Sequence, residues 1–276
     1  MNAVATFTLG ELVRESGLLR LEAELLLAFL LGKNRAFLIA HADDPADADA
    51  AQAAGRLFGR RAAGEPIAYL TGEREFYGFA LRVTPAVLIP RPETERLVEL
   101  ALERIPAGAP TRVLELGSGS GAIAIALAHE RPGLRITATD VSEAALDVAR
   151  DNARRHGVAI EFARGDWCEA LGAARFELIV SNPPYVAASD PHLAQGDVRF
   201  EPRRALVGGE DGLDCIRRIA AQAREHLSPG GWLLFEHGYD QGAACVELLR
   251  RLGYAKVEDF KDLSAVPRVS VGRWPG

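Results

Sequence analysis

The feature that most constrains the fold is a regular alternation of short apolar segments with longer amphipathic ones after residue 111. The apolar segments, each of strand length, cover residues 112–116, 135–139, 176–180 and 232–236. The segments between them carry apolar residues at helical spacing and cover residues 122–130, 143–156 and 214–226. Strands that alternate with helices in this way predict an α/β domain with a doubly wound, mostly parallel sheet.

The end of the chain departs from this alternation. Two further β-prone segments, residues 254–260 and 268–274, are separated only by a short loop that contains Pro267. Because strands so close in sequence are easily joined as a hairpin, we expect an antiparallel pair at one end of the sheet.

The first 66 residues have a helical pattern only. Thr8 precedes Glu11 at the spacing of a capping box, and leucines at helical spacing run to Gly32. We expect a helical domain over residues 1–66 and interpret it as a substrate-docking domain, although a domain that only packs on its neighbour would have the same pattern.

Gly78 lies between two β-prone, roughly alternating runs. We therefore expect a β-hairpin linker over residues 67–90. The larger α/β domain then covers residues 91–276.

Composition and charge limit the class of protein. Of 276 residues, 48% are hydrophobic and 25% are charged, which is typical of a globular protein with a sizeable core. The apolar run over residues 25–31 is too short to cross a bilayer and no secretory signal precedes it, so we expect a cytoplasmic protein without membrane contact. A net charge of −6 argues against direct nucleic-acid binding, which needs clustered cations. The three scattered cysteines predict neither a disulfide framework nor a metal site.

A glycine-rich loop, residues 117–122 (Gly-Ser-Gly-Ser-Gly-Ala), follows the first strand of the α/β domain. Glycine at alternate positions permits a tight turn and leaves the N-terminus of the next helix open to a polar ligand group. Asp140 ends the second strand, where a carboxylate can hold the two hydroxyls of a ribose, although an Asp at this place also often caps a helix. Together the two features predict a cofactor that contains a nucleoside.

Two classes of cofactor fit this loop. Gly117, Gly119 and Ala122 satisfy the dinucleotide fingerprint, so a nicotinamide-dependent oxidoreductase is one alternative. Three features favour S-adenosylmethionine instead. They are the additional Gly121, the run Gly165-Asp166-Trp167, which follows a further strand expected before residue 165 and can frame an adenine, and a polar run directly after the strand over residues 176–180.

The polar run that follows the strand over residues 176–180 is Ser181-Asn182-Pro183-Pro184-Tyr185. Two consecutive prolines fix two φ angles and keep the segment extended and stiff. Asn182 offers an amide donor and a carbonyl acceptor, and Tyr185 offers a flat aromatic face. Because these groups together can hold a planar NH2 group, we interpret the run as the binding site of a methyl-accepting nitrogen.

These motifs resemble those of the class I methyltransferases, and most closely those of the protein-(glutamine-N5) methyltransferases that modify peptide chain release factors, the HemK/PrmC family. The motifs that carry the resemblance are residues 66–72, 75–78, 88–95, 181–185 and 201–213. The resemblance implies a seven-stranded methyltransferase sheet, S-adenosyl-L-methionine as the cofactor, and methyl transfer to the side-chain nitrogen of the glutamine in the Gly-Gly-Gln motif of a release factor. Ala265 stands near a position where the family has a glycine, which concerns only the shape of that loop.

The resemblance also implies which residues hold the cofactor. The methionine part would be lined by the glycine loop, namely Gly117, Ser118, Gly119, Ser120 and Gly121. Asp140 would bind the ribose, Trp167 would pack on the adenine, and Asn182 would lie beside the cofactor.

The methyl-accepting amide would be held by the residues of the polar run, Asn182, Pro183, Pro184 and Tyr185. An amide nitrogen is a poor nucleophile because its lone pair is delocalised into the carbonyl. We expect Asn182 and the Pro183 carbonyl to accept its two hydrogens while Tyr185 packs on the amide plane. Positioning of this kind can contribute ~7–11 kcal/mol, and it requires no metal. Arg91 and Glu201 belong to the matching motifs without an assigned role, and either can brace the pocket.

Three alternatives stay open at this point. An N-methyltransferase that acts on an exocyclic amine of a nucleobase in RNA or DNA could use the same Asn-Pro-Pro-Tyr run. A nicotinamide-dependent oxidoreductase would use Asp140 for the ribose of NAD. A non-catalytic binding module would keep the glycine loop and transfer no methyl group.

Overall fold

The computed structural model describes residues 7–106, 108 and 110–276. The chain divides into two compact units, Met1–Glu73 and Arg74–Gly276, which we call the helical unit and the sheet unit. Within the described residues, no helix is both long enough and apolar enough to span a membrane.

The described part of the helical unit forms short helices around one apolar core. In chain order they are α1 Leu9–Glu15, α2 Arg20–Leu31, α3 Arg35–Ala40, α4 Ala48–Ala62 and α5 Ile67–Thr71. The predicted capping box is present, because Thr8 Oγ1 accepts from the Glu11 amide and a Glu11 carboxylate oxygen accepts from the Thr8 amide. Leu26 and Leu27 of α2 are fully buried in the core.

A β-hairpin, β1 Glu73–Phe76 and β2 Phe79–Arg82, follows α5 in the chain. Tyr77 and Gly78 form its turn with φ angles of 52° and 81°. Two positive φ angles in succession are typical of the two-residue turns whose twist matches that of the strands.

The hairpin is shorter than the segment 67–90 that the sequence assigned to it. Residues 67–71 form α5, which begins after Pro66 and ends at Gly72 in the left-handed conformation. The hairpin prediction was wrong for these residues because a short apolar run does not show whether its period is that of a strand or of a helix.

The sheet unit is organised around one sheet. Its strands are β3 Arg112–Leu116, β4 Arg135–Asp140, β5 Glu161–Arg164, β6 Phe176–Ser181, β7 Leu227–Glu236, β8 Ala255–Lys261 and β9 Pro267–Arg273. They lie in the order β5-β4-β3-β6-β7-β9-β8, and β9 is antiparallel to both of its neighbours while the other pairs are parallel. The predicted seven-stranded, mostly parallel sheet with an antiparallel pair at one end is confirmed.

Helices cover both faces of this sheet. They are α6 Glu95–Arg104, α7 Ala122–Glu130, α8 Glu143–Arg155, α9 Asp214–His226 and α10 Gly242–Arg251. Because neighbouring residues of a strand face opposite sides, Val113 joins a core with α6 and α7, and Leu114 joins a second core with α9 and α10. Burial on both faces explains why the strands read as continuous apolar runs in the sequence.

The parallel strands end in register at one edge of the sheet. Leu116 of β3 is paired with Thr139 of β4 and with Ser181 of β6, and Ser181 is paired with Phe235 of β7. The residues that follow these positions therefore lie side by side at the carboxyl ends of the strands, which is where α/β sheets bind their ligands.

Asn152 of α8 connects three parts of the sheet unit. Its Oδ1 accepts from the Arg82 amide at 2.8 Å, and its Nδ2 donates to the carbonyl oxygens of Arg82 and Ser120, each at 2.9 Å. The side chain is fully buried, so these three backbone groups of β2 and the glycine loop depend on it for hydrogen bonds.

We expect Asn152→Ala to lower the free energy of unfolding by roughly 2–4 kcal/mol, because it removes three hydrogen bonds between a fully buried side chain and the backbone and leaves a cavity. Urea unfolding followed by circular dichroism measures this change. Asp151→Ala is the matched control, since it removes a surface ion pair to the same Arg82 and leaves the buried bonds in place. Equal effects of the two substitutions would contradict the structural role given to Asn152.

Candidate active site

The glycine loop between β3 and α7 is fixed to the neighbouring strand β4. The amides of Gly117 and Ser118 both donate to the carbonyl oxygen of Thr139, each at 2.9 Å. Gly121 has a φ of 81°, and a Cβ there would lie 3.2 Å from the Cβ of Ala149, so glycine is required for both conformation and space. A Cβ at Gly119 would meet nothing within 4 Å, which leaves open space above the backbone of the loop.

Asp140 is held at the end of β4 by two backbone donors. Its Oδ2 accepts from the Gly119 amide at 3.0 Å, and its Oδ1 accepts from the Ser142 amide at 2.8 Å. The N-cap of α8 is Ser142, whose side chain accepts from the Ala145 amide, so Asp140 is not the capping residue of this helix. Because each carboxylate oxygen can accept a further hydrogen bond, Asp140 is suited to a pair of hydroxyl groups.

Trp167 lies against the glycine loop. The position of a Cβ on Gly117 would be 3.5 Å from Cζ3 of its indole ring, and its carbonyl oxygen accepts from Thr139 Oγ1 at 3.1 Å. Two buried polar atoms at this place, Trp167 Nε1 and Ser118 Oγ, have no hydrogen-bond partner among the described residues. Unpaired buried polar atoms are uncommon in folded proteins, and a ligand would satisfy them.

These groups line a single cavity of about 280 Å³ at the carboxyl ends of the strands. From the predicted set of site residues, its wall contains Gly117, Ser118, Gly119, Ser120, Asp140, Trp167, Asn182 and Pro184. The volume is close to the lower end of the range for ligand pockets. The structure therefore brings the predicted cofactor loop and part of the Asn-Pro-Pro-Tyr run to one cavity.

The other predicted residues lie behind the cavity wall. Gly121 is the N-cap of α7, and Pro183 is buried. The ring of Tyr185 packs against the core on the α9 side of the sheet, and its hydroxyl donates to Glu236 Oε1 at 2.9 Å. Gly121 and the rings of Pro183 and Tyr185 therefore support the wall rather than form its surface.

Asn182 belongs to a chain of side-chain hydrogen bonds that includes Thr94 and Glu236, two residues that no sequence motif assigned to the site. Asn182 Nδ2 donates to Thr94 Oγ1 at 2.9 Å, and Thr94 Oγ1 donates to Glu236 Oε2 at 2.6 Å. Burial raises the pKa of Glu236, while the hydrogen bonds from Thr94 and Tyr185 act in the opposite direction. Burial, followed by the nearby Glu236 charge, raises the pKa of Tyr185 far above its usual value, so this phenol stays protonated.

Arg91 and Glu201, which the sequence left without a role, form a salt bridge. The Glu201 side chain is buried, and its Oε2 also accepts from the Ile89 amide at 3.0 Å. The Arg91 side chain lines the cavity. The pair braces the segment before α6 against the loop that follows β6, and it fixes one guanidinium group at the cavity wall.

Two family models match this chain. The PrmC N-terminal domain matches residues 11–72, and the methyltransferase small domain matches residues 95–198. The release factor glutamine methyltransferase of Burkholderia pseudomallei is 54% identical over an alignment 276 residues long, and this alignment covers 98% of this chain and 97% of that protein. Those of Bordetella pertussis and Salmonella typhimurium are 51% and 47% identical, over 96% and 95% of this chain and 98% and 95% of theirs.

The chain belongs to the release factor glutamine methyltransferase family. The resemblance seen in the sequence motifs is therefore confirmed over nearly the whole chain.

Solved structures show the fold. A methyltransferase from Pyrococcus furiosus matches with a TM-score of 0.56 at 22% identity, over 79% of this chain and 97% of that chain. A Thermus thermophilus 16S rRNA N2 G1207 methyltransferase, in complex with AdoMet and guanosine, also gives 0.56, at 21% identity over 73% of this chain and 49% of its own. At such identities these matches support the methyltransferase fold alone.

The cofactor of this family of methyltransferases is S-adenosylmethionine, and the cavity fits it. The unpaired Trp167 Nε1 and Ser118 Oγ, the open backbone at Gly119 and the fixed Asp140 carboxylate are groups that a nucleoside and an amino acid can satisfy. The sequence pattern alone had also allowed NAD; membership of the family decides for S-adenosylmethionine. Among the described residues, no group of three or more His, Cys, Asp or Glu side chains is placed to hold a metal ion.

Glu115, the penultimate residue of β3, is a buried carboxyl group in the cavity wall that was not among the predicted site residues. Its Oε2 accepts from the Ala124 amide at 3.1 Å. Burial raises the pKa of Glu115 well above its usual value, and the Asp140 charge raises it further. The signal that could have identified Glu115 is an acidic residue inside an otherwise apolar strand segment.

We expect Glu115→Gln to stabilise the cofactor-free protein increasingly as pH rises. A carboxyl whose pKa is raised by folding holds its proton more tightly in the folded state. Its contribution to stability is therefore greatest below the pKa of the unfolded chain, near 4.5, and falls as pH rises through the folded-state value. The glutamine variant avoids this loss and can still accept from Ala124.

Urea unfolding of both proteins between pH 4.5 and pH 8 checks this prediction. All other titrating groups are common to the two proteins, so the difference between their free energies of unfolding isolates Glu115. The difference should grow with pH, and a difference that does not change with pH would contradict the raised pKa.

Proposed function

We propose that this protein transfers a methyl group from S-adenosylmethionine to the side-chain nitrogen of the glutamine in the Gly-Gly-Gln motif of peptide chain release factors. The observation that carries the proposal is that Asn182 and Pro184 lie in the wall of the same cavity as the glycine loop and Asp140. A planar amide beside Asn182 is therefore next to the cofactor. The names of the close relatives and the family membership support the choice of substrate.

The cofactor half of the cavity is assigned as follows. Asp140 accepts hydrogen bonds from the ribose hydroxyls, and the indole of Trp167 packs on the adenine. The loop residues that hold the methionine part are Gly117, Ser118, Gly119, Ser120 and Gly121, of which Gly121 acts by shaping the turn. S-adenosylmethionine supplies a methyl group on a positively charged sulfur that is already a good leaving group.

The acceptor half has to orient the amide nitrogen. Asn182 Oδ1 and the Pro183 carbonyl would accept the two amide hydrogens and so turn the nitrogen lone pair towards the methyl group. The nitrogen–carbon bond would form as the sulfur–carbon bond breaks, with S-adenosylhomocysteine as the leaving group and one amide proton lost to water. Pro184 forms the adjacent wall, and Tyr185 supports this wall from behind through Glu236. Orientation of this kind can supply ~7–11 kcal/mol of the barrier reduction.

The helical unit, with its own core and a separate family model, is assigned to docking of the release factor. Release factors act on ribosomes, so the proposed site of action is the cytoplasm.

The test of this function is mass spectrometry of a purified, unmethylated release factor after incubation with the protein and S-adenosylmethionine. One added methyl group on the glutamine of the Gly-Gly-Gln motif is expected. A release factor with glutamate at that position is the control, because it lacks the amide. Methylation of RNA or DNA with none on the release factor would instead establish the nucleobase alternative.

The two halves of the cavity should separate in mutants. Asn182→Ala is expected to lower kcat about 10²-fold or more, because the amide is no longer oriented, while cofactor affinity measured by calorimetry changes little. Asp140→Ala is the comparison, with cofactor affinity reduced by about tenfold or more through lost hydrogen bonds to a charged group. If Asn182→Ala lowered cofactor affinity as much as turnover, its assigned role would be wrong.

A further inference from the structure

Asn182 belongs to a hydrogen-bond chain with two residues far from it in the sequence. Thr94 precedes α6, and Glu236 is the last residue of β7. Both are buried, with exposed fractions of 4% and 1%. The chain of contacts runs from Asn182 Nδ2 to Thr94 Oγ1 at 2.9 Å and from there to Glu236 Oε2 at 2.6 Å.

The chemistry of Glu236 sets the direction of each bond in this chain. The Tyr185 phenol donates to Oε1 and the Thr94 hydroxyl donates its single hydrogen to Oε2, so both oxygens of Glu236 act as acceptors. Thr94 Oγ1 must then accept from its other neighbour, which requires the NH2 group of Asn182 to face it. The oxygen of the Asn182 amide consequently faces away from Thr94.

The same carboxylate is held on its other side. Tyr185 donates to Oε1 at 2.9 Å, so the two oxygens of Glu236 are bound to different donors. Arg268 favours the charged form of Glu236, and Glu93 opposes it. Two hydrogen bonds and one nearby cation thus hold an acceptor at the end of the chain, although the group is buried.

We propose that Glu236 is a positioning residue that acts through Thr94 to fix the Asn182 amide with its oxygen towards the methyl-accepting NH2 group. This inference rests on the proposed function, since it concerns the polarity of the same acceptor site. An asparagine side chain can rotate by 180° at little steric cost, and only its hydrogen bonds distinguish the two orientations. In the reversed orientation its NH2 would face the NH2 of the substrate, donor against donor.

A neutral amide at position 236 no longer fixes which group donates and which accepts in the hydrogen bonds from Asn182 through Thr94. Glu236→Gln retains the size of the side chain and can donate to Thr94, whose hydroxyl is then free to donate to the Asn182 oxygen. The expected result is a reduction of kcat of about 10²-fold on the release factor. Cofactor affinity should stay within about threefold of the wild type, because the glycine loop and Asp140 are untouched.

Variants of Thr94 separate positioning from packing. Thr94→Val removes the hydroxyl with little change in shape and should lower kcat as much as Glu236→Gln does. Thr94→Ser restores the hydroxyl and should restore most of the activity. The double variant with Thr94→Val and Glu236→Gln should lose no more than either single one, because both interrupt the same chain.

The matched control is Glu177→Gln, the same chemical change on the neighbouring strand β6. It should keep wild-type turnover, because Glu177 accepts hydrogen bonds from the Arg112 amide and the Ser228 hydroxyl at the other end of the strands. A role in folding alone would make kcat, melting temperature and cofactor affinity fall together, without rescue by Thr94→Ser. Wild-type turnover in Glu236→Gln or Thr94→Val would overturn the inference while the proposed function stands. Absence of release factor methylation by the wild-type protein would overturn the proposed function and, with it, this role.

Discussion

The site depends on the register of four parallel strands. Leu116, Thr139, Ser181 and Phe235 are neighbours across the sheet, and Ser181 Oγ donates to the Leu116 carbonyl at 2.7 Å. The next residue along the chain after each of these positions lies in the cavity wall or in the hydrogen-bond chain of Asn182. These residues are Gly117, Asp140, Asn182 and Glu236. A slip of one residue in the pairing of β4, β6 or β7 would turn Asp140, Asn182 or Glu236 to the other face of the sheet, so the geometry of this site depends on the strand pairing.

The burial of carboxyl groups near the cavity lowers the stability of the folded protein. Glu115, Glu201 and Glu236 are all buried carboxyl groups close to the cavity. Removal of a carboxylate from water is costly, and hydrogen bonds and ion pairs offset the cost only in part. Glu201 has Arg91 and the Ile89 amide, and Glu236 has two hydroxyl donors, whereas Glu115 has the Ala124 amide. Burial of apolar side chains in the cores on both faces of the sheet offsets the free-energy cost of these buried carboxyl groups.

What the sequence could predict follows from the range of the interactions. The bounds of β3, α7 and α9 agree with those predicted from the hydrophobic periodicity, because this periodicity is a property of the residues within each strand or helix. The glycine loop and Asp140 were also predictable, since each belongs to one strand end. The contacts of Asn182 with Thr94 and of Thr94 with Glu236 span 88 and 142 residues, so no local pattern contains them. For the same reason the sequence did not predict that the Tyr185 ring packs into the core.

The two halves of the cavity are therefore built by different means. The cofactor half is formed by backbone groups and by side chains within a short stretch, as in the bonds of Gly117, Gly119 and Asp140. The acceptor half is formed by side chains that meet only after the sheet has assembled. A change in Thr94 or Glu236 would alter the hydrogen bonds of Asn182 without touching the cofactor loop, so the two halves of the cavity can vary independently on a constant fold. On the proposed function, the Asn-Pro-Pro-Tyr run holds an NH2 group, and the hydrogen-bond chain through Thr94 to Glu236 sets which end of the Asn182 amide faces that group.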